Sequence, residues 1–275
     1  MKRMIACVAA ATAAASVAAA PVQAASADPV KALKSQLVAG RGVKFTDVSS
    51  LVSFTGTTSF LKRTGSFQFG RAGIAASDVS AGLTADEPSG MPPSIILPTL
   101  EKPERTIRIG TTSYYSGGPW APPKGKTWVK HRNGMSAGFS GTDSQMVNAA
   151  EPGTLKLLIA KGKREGRTYS GAISLGALEK VSPWLQHVQV TGMSESTKKD
   201  VVRFRLTLGP GLLPQRLVTV YPSSHVSAAV GEDRKISVET RYTGWGSRVT
   251  VKAPPASKTV DAGKGEPTVR GGGRG

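Results

Sequence analysis

Arg241 to Pro255 reads RYTGWGSRVTVKAPP, and this stretch with its upstream neighbours decides the fold class. Just before it, Ile236, Val238, Thr240 and Tyr242 alternate with Lys235, Ser237, Glu239 and Arg241. That two-residue period belongs to a strand with one apolar and one wetted face, and it predicts an edge of a curved sheet. Gly244 and Gly246 bracket Trp245, which predicts a turn, after which Val249 and Val251 resume the alternation. Pro254 and Pro255 have no N–H to give to a ladder, so the sheet is expected to stop there.

Outward from this stretch the same period recurs. Val202, Phe204, Leu206 and Leu208 alternate with Val201, Arg203, Arg205 and Thr207; a Gly209-Pro210-Gly211 turn and a returning strand through Val220 follow. Further strands are predicted over Val43–Phe54, Thr58–Phe69, Ala72–Val79, Thr106–Tyr115, Thr127–His131 and Thr168–Leu175, punctuated by Gly, Pro and Ser. Helical spacing is confined to three places. Asp28-Pro29 opens a helix carrying Val30, Leu33 and Leu37, and Pro152 opens one with Leu155, Leu158 and Ile159 on one face. Leu178, Val181 and Leu185 predict a shorter helix that ends near Pro183. The pattern predicts one α+β domain of antiparallel hairpins from Asp28 to about Val260, long enough to bury a substantial interior. The stretch 81–103 carries five prolines around Ile95-Ile96-Leu97 and predicts a long flap. Residues 261–275, ending in RGGGRG, lack the apolar side chains needed to order them and predict a disordered basic tail.

Four segments, in order, resemble the LolA-like carrier superfamily, most closely the LppX/LprAFG-type lipid-binding lipoproteins of actinobacteria. They are DPVKALKSQL from Asp28, GTTSYYSGGPWAPPKGKTWVK from Gly110, GPGLLPQRLVTV from Gly209, and the Tyr242-x-x-Trp245-Gly246 ending with its closing prolines. The resemblance implies a strongly curved antiparallel half-barrel wrapped around a few short helices, holding a lipid or acylated molecule between sheet and helices.

Lys2 and Arg3, an Ala/Val-rich run to about Ala20 and a small-residue exit form a secretory leader over residues 1–27, with cleavage expected after Ala24 or Ala27. Cys7 is the one cysteine of the chain. It stands at the start of the apolar run, where a lipoprotein acceptor would follow it, so no lipid anchor is expected. A mature chain without thiols excludes disulfides, cysteine catalysis and thiolate metal sites. Loss of Lys2 and Arg3 leaves 34 basic against 18 acidic residues, a formal charge of +16. The cations are scattered on outward strand positions such as Arg203, Arg205 and Arg248, a pattern of loose attraction to an anionic membrane surface or wall polymer rather than of nucleic-acid recognition.

Periodicity alone does not separate a packed core from a cavity wall. The resemblance favours a cavity, lined by Phe67, Phe69, Ile107 and Ile109 from the first hairpins and by Leu155 and Leu158 from the Pro152 helix. Ile173, Phe204, Leu206, Leu208, Ile236, Val238 and Tyr242 complete that wall. Trp120, Trp128, Trp184 and Trp245 all stand at element boundaries, where they either form a rim or lid or plug the ends of the core. Gly134-Met135-Ser136-Ala137-Gly138 matches the GxSxG string of serine esterases, but no buried strand precedes it and no apolar helix follows. No spacing joins it to His187 or His225 as base, or to Asp200 or Asp233 as orienting acid. His131, His187 and His225 fit no metal-ligand spacing, and no phosphate-binding loop is present. The sequence thus predicts a secreted, monomeric, non-enzymatic lipid carrier of the cell envelope with no cofactor. The alternative is a structural or signalling module that binds a protein or an anionic wall polymer.

Overall fold

The computed structural model describes residues 28–54, 56–84, 100, 102–188, 193–222 and 235–262. The predicted leader with Cys7, most of the Pro-rich stretch, His225, Asp233 and the Gly-rich tail lie outside the described residues. A short helix, α1 (Pro29–Ser35), opens the domain where expected. The Asp28 carboxylate accepts from the Val30 N–H at 2.8 Å, and Leu33 is fully buried.

Six strands follow as a meander: β1 (Arg41–Ser53), β2 (Gly56–Gly70), β3 (Gly73–Leu83), β4 (Glu104–Ile109), β5 (Thr112–Ser116) and β6 (Trp128–Arg132). The predicted Thr106–Tyr115 strand is two strands, because Gly110 takes φ +58 and reverses the chain. After an irregular segment come α2 (Pro152–Lys161), β7 (Gly162–Glu165) and β8 (Thr168–Ser174). Three short helices, α3 (Leu175–Glu179), α4 (Pro183–Gln186) and α5 (Glu195–Lys199), lead into β9 (Val201–Leu208), β10 (Pro214–Pro222), β11 (Lys235–Arg248) and β12 (Thr259–Asp261). Pro183 begins a helix rather than ending one: the Ser182 hydroxyl caps it by accepting from the Leu185 N–H at 3.1 Å, and proline suits the first turn.

The twelve strands among the described residues form one sheet, ordered β12-β6-β5-β4-β3-β2-β1-β11-β10-β9-β8-β7. It is curved and unclosed, an α+β half-barrel with five short helices among the described residues. Every pairing is antiparallel except that of β12 with β6. The Arg241 stretch is therefore not at an edge. Its strand, β11, joins the first meander to the second by pairing with β1 along eleven registered residues, Tyr242 opposite Phe45 and Ile236 opposite Leu51.

Nor does the strand turn at Trp245. Gly42 faces Ser247 and Lys44 faces Thr243, so Gly244, Trp245 and Gly246 stand together as a bulge opposite Val43. Gly244 (φ +66) and Gly246 (φ +72) supply the backbone it needs. The bulge turns Trp245 onto Phe69, ring centroids 6.0 Å apart, and lets its indole N–H donate to the Pro214 carbonyl at 2.8 Å. Beyond the prolines the chain returns to the sheet as β12, where Ala262 N–H bonds the Lys130 carbonyl.

Candidate functional site

The concave face of the sheet is filled by the chain's own backbone. Gly134 to Glu151 runs without strand or α-helix, with one 3-10 turn at Phe139–Gly141, and nearly every residue in it is buried. Buried backbone needs partners, and inward side chains of the strands provide them. Tyr221 Oη donates to the Ser144 carbonyl at 3.0 Å, and Tyr242 Oη accepts from the Ala149 N–H at 3.2 Å. Gln145 donates to Thr240 Oγ1 at 3.0 Å and accepts from Thr219 Oγ1 at 2.9 Å. Glu104, itself buried at the start of β4, accepts from the Phe139 and Ser140 N–H groups and from the Trp120 indole within 3.0 Å. At the far end Glu151 accepts from Trp184 N, Ser182 Oγ and Thr154 Oγ1; burial nonetheless raises its pKa.

A buried ion pair lies beneath this plug. Arg63 and Asp47 face each other across β2 and β1, joined by two hydrogen bonds of 3.0 and 2.7 Å with side chains 1% and 2% exposed. The void beside them, also bordered by Phe67, Gln145, Trp184 and Tyr242, holds about 10 Å³.

The side chains expected to wall a lipid cavity are part of this packed interior. Leu155, Leu158, Leu206 and Val238 are fully buried, and Phe67, Phe69, Ile107, Ile173, Phe204, Leu208, Ile236 and Tyr242 are all less than 5% exposed. Of these, Phe67 and Tyr242 border the small void beside the ion pair. Ile109, at the end of β4, is half-buried. The reason for this packing is the plug, whose residues take the room between sheet and helices.

Open space lies instead at one end of the half-barrel. A groove of about 980 Å³ is bounded by the β2–β3 hairpin from Gly70 to Ser77, the β4–β5 turn, the end of α1 and the starts of α2 and α4. Leu37, Ile74, Ala75, Pro152, Val181 and Trp184 give it apolar walls; Lys34, Arg71, Arg108 and His187 add basic groups. Both ends of the plug, at Ser136 and Glu151, reach it. None of the thirteen expected cavity residues borders this groove, and of the four tryptophans Trp184 does. Trp184 is buried, edge-on to Phe67 at 5.3 Å, with its indole N–H on the Gln145 carbonyl. Trp120 stacks on Tyr115 at 4.2 Å, and Trp128 lies under the Arg105 guanidinium at 5.7 Å.

The GxSxG string is the first turn of the plug. Ser136 is 2% exposed, its hydroxyl donates to the Trp184 carbonyl at 3.2 Å, and the His187 ring binds the Pro183 carbonyl, not the serine. Packing accounts for the glycines: a Cβ on Gly134 would lie 2.4 Å from Tyr115 Oη, and one on Gly138, which has φ +65, 2.5 Å from Glu104 Oε1. Among the described residues no cluster of His, Cys, Asp or Glu could hold a metal, and no helix is long and apolar enough to cross a membrane.

No protein-family profile matches the chain, and no curated protein does. Among solved structures it is similar to a LolA superfamily protein from Nitrosomonas europaea, at 9% identity over 82% of this chain and 93% of the other, with a TM-score of 0.27. A putative outer membrane lipoprotein-sorting protein domain from Vibrio parahaemolyticus gives 7% identity, 78% and 89% coverage and a TM-score of 0.28. A porin-like protein from Bacteroides uniformis gives 8%, 75% and 97%, and 0.26. With TM-scores this low the likenesses carry nothing about ligand or role.

Proposed function

We propose that the protein is a non-enzymatic, extracytoplasmic binding protein for a lipid or acylated ligand, and that the ligand sits in the end groove rather than between sheet and helices. The observation that carries this is the groove itself: about 980 Å³ of open space with apolar walls, at the upper end of the usual range for ligand pockets. The leader of residues 1–27 supports the location, and the four-segment resemblance supports the ligand class, including its narrower form, an actinobacterial envelope lipoprotein relative without an anchor. Burial of Ser136 and its bond to a carbonyl speak against hydrolysis.

Mass spectrometry of solvent extracts from the natively exported protein tests the reading, together with the thermal shift on adding a lysophospholipid. A bound ligand raises apparent stability by mass action. Stoichiometric lipid and a rise in Tm are expected; recovery of no lipid together with no shift overturns the proposal. The second reading, capture of an anionic wall polymer, draws on Arg203 and Arg205, which stand exposed on β9 without an ion pair among the described residues. Polymer binding should collapse between low and physiological salt, whereas acyl-chain capture should hardly respond.

A further inference from the structure

We infer that the groove selects amphiphiles with an anionic head group, a carboxylate or phosphate, and that Arg108 is the residue that reads it. The inference rests on the end groove being the ligand site. Arg108 stands on β4 in register with Ser113 of β5 and Ser77 of β3, and its side chain comes off the concave face into the groove. One end of its guanidinium is fixed: Nη1 donates to the Gly134 carbonyl of the plug and to Ser113 Oγ at 3.3 Å. Its Nε and Nη2 make no hydrogen bond with any described residue.

The same two atoms show what they are suited to elsewhere in the chain. Arg63 Nε and Nη2 hold the Asp47 carboxylate at 3.0 and 2.7 Å, and Arg105 Nε and Nη2 hold that of Asp78 at 2.9 and 2.7 Å. Arg108 presents this fork with no carboxylate in it. A planar fork held at one end loses little freedom when it takes a planar or tetrahedral oxyanion.

The surroundings reinforce the sign. Lys34 and Arg71, both exposed on the groove rim, make no ion pair with a described residue. Glu151, the one carboxylate among the described lining residues, already has both oxygens bonded to Ser182 Oγ and Trp184 N. The groove therefore joins apolar walls to Arg108, Lys34 and Arg71, none of them in an ion pair with a described residue, which fits an acyl chain ending in an anion and offers a neutral head group hydrogen bonds but no opposite charge.

Calorimetric titration with probes of one chain length tests this: a lysophosphatidate, a fatty acid and a monoacylglycerol, with inorganic phosphate as a fourth. The anionic amphiphiles should bind about ten- to a hundredfold more tightly than the monoacylglycerol, the range of one or two charge-assisted hydrogen bonds. Arg108→Gln should abolish that preference while leaving monoacylglycerol affinity intact, which also shows that the variant is folded. Arg108→Lys should restore part of it, and Arg71→Gln, on an exposed hairpin, should weaken it slightly. Equal affinity for all amphiphiles, or a preference that survives Arg108→Gln, overturns the inference while the groove reading stands. Binding of inorganic phosphate as tight as that of the lysophosphatidate makes the ligand a free anion and overturns the head-group assignment. Binding of no amphiphile removes the groove reading and this one together.

Discussion

Replacing Leu206 by tryptophan separates a filled half-barrel from a hollow one. Leu206 is fully buried on β9, opposite Leu217 of β10 and Tyr169 of β8, which are 0% and 6% exposed, and flanked on the same face by Phe204 and Leu208. An indole has no room there. Overpacking a tight core costs about 1–3 kcal/mol, and an added ring belongs at the upper end of that range. At about 2–4 °C per kcal/mol for a domain of this size, Tm should fall by about 6–12 °C. Ala75→Trp is the counterpart, because Ala75 is exposed and lines the groove. It should move stability by no more than about 0.5 kcal/mol yet displace ligand. The assay is paired: thermal unfolding for stability, and the lipid-to-protein ratio in solvent extracts for occupancy. A Leu206→Trp protein of near-normal Tm that has lost its lipid, beside an Ala75→Trp protein that keeps it, would place the ligand in the interior and refute the reasoning.

Three further outcomes follow from buried polar groups. Asp143 is 1% exposed with neither oxygen hydrogen-bonded, and burial pushes its carboxyl up to about 7 from 3.8. The native state then binds more protons than the unfolded chain between those values, so stability should fall as pH rises from about 4 through 7. Asp143→Asn should recover up to about 4 kcal/mol at pH 8 and much less at pH 4, read from urea unfolding at the two pH values. Arg63→Met leaves Asp47 charged and alone in the core and should cost about 3–5 kcal/mol, whereas Asp47→Leu with Arg63→Met should recover most of it in the same assay. Glu104→Gln keeps the shape but replaces one acceptor with a donor, where Glu104 accepts three bonds. It should cost about 1–3 kcal/mol and shift the emission of Trp120, one of its three donors.

What the sequence showed well was periodic. The alternation through β9 and β11 gave the correct inward faces, and Asp28-Pro29 and Pro152 marked two helix starts that the structure bears out. The position of β11 in the sheet was not legible, because strand order depends on pairings between residues some two hundred apart, such as Phe45 with Tyr242. β7 and α5 also went unread, since GKRE and ESTKK are too short and polar to show a period. The plug was invisible for a related reason: its Ser, Asn, Gln, Asp and Ala residues show neither a strand nor a helix period. A sign of it was present on the strands. Asp47, Arg63, Thr219 and Thr240 interrupt otherwise apolar inward rows, and polar groups on a buried face imply a polar partner opposite them. The groove was harder still, because its walls come from hairpin ends and helix starts with no shared pattern.

Those inward polar groups also bear on whether the plug could give way to a ligand. Eight hydrogen bonds join strand and helix side chains to its backbone, from the carbonyls of Gly134, Met135 (two), Ser144 and Gln145 and the N–H groups of Phe139, Ser140 and Ala149. Replacing the plug by hydrocarbon would leave the side-chain partners buried and unpaired at about 1–3 kcal/mol each. That is comparable to the whole stability of a domain, about 5–15 kcal/mol, and an acyl chain offers no hydrogen bonds in return. Vacating the interior would therefore amount to unfolding it. The end groove asks for no such exchange, because its walls already stand apart, and the plug contributes to it at Ser136 and Glu151 without leaving its place. The segment that packs between the sheet and the helices thus also forms part of the surface a ligand would meet.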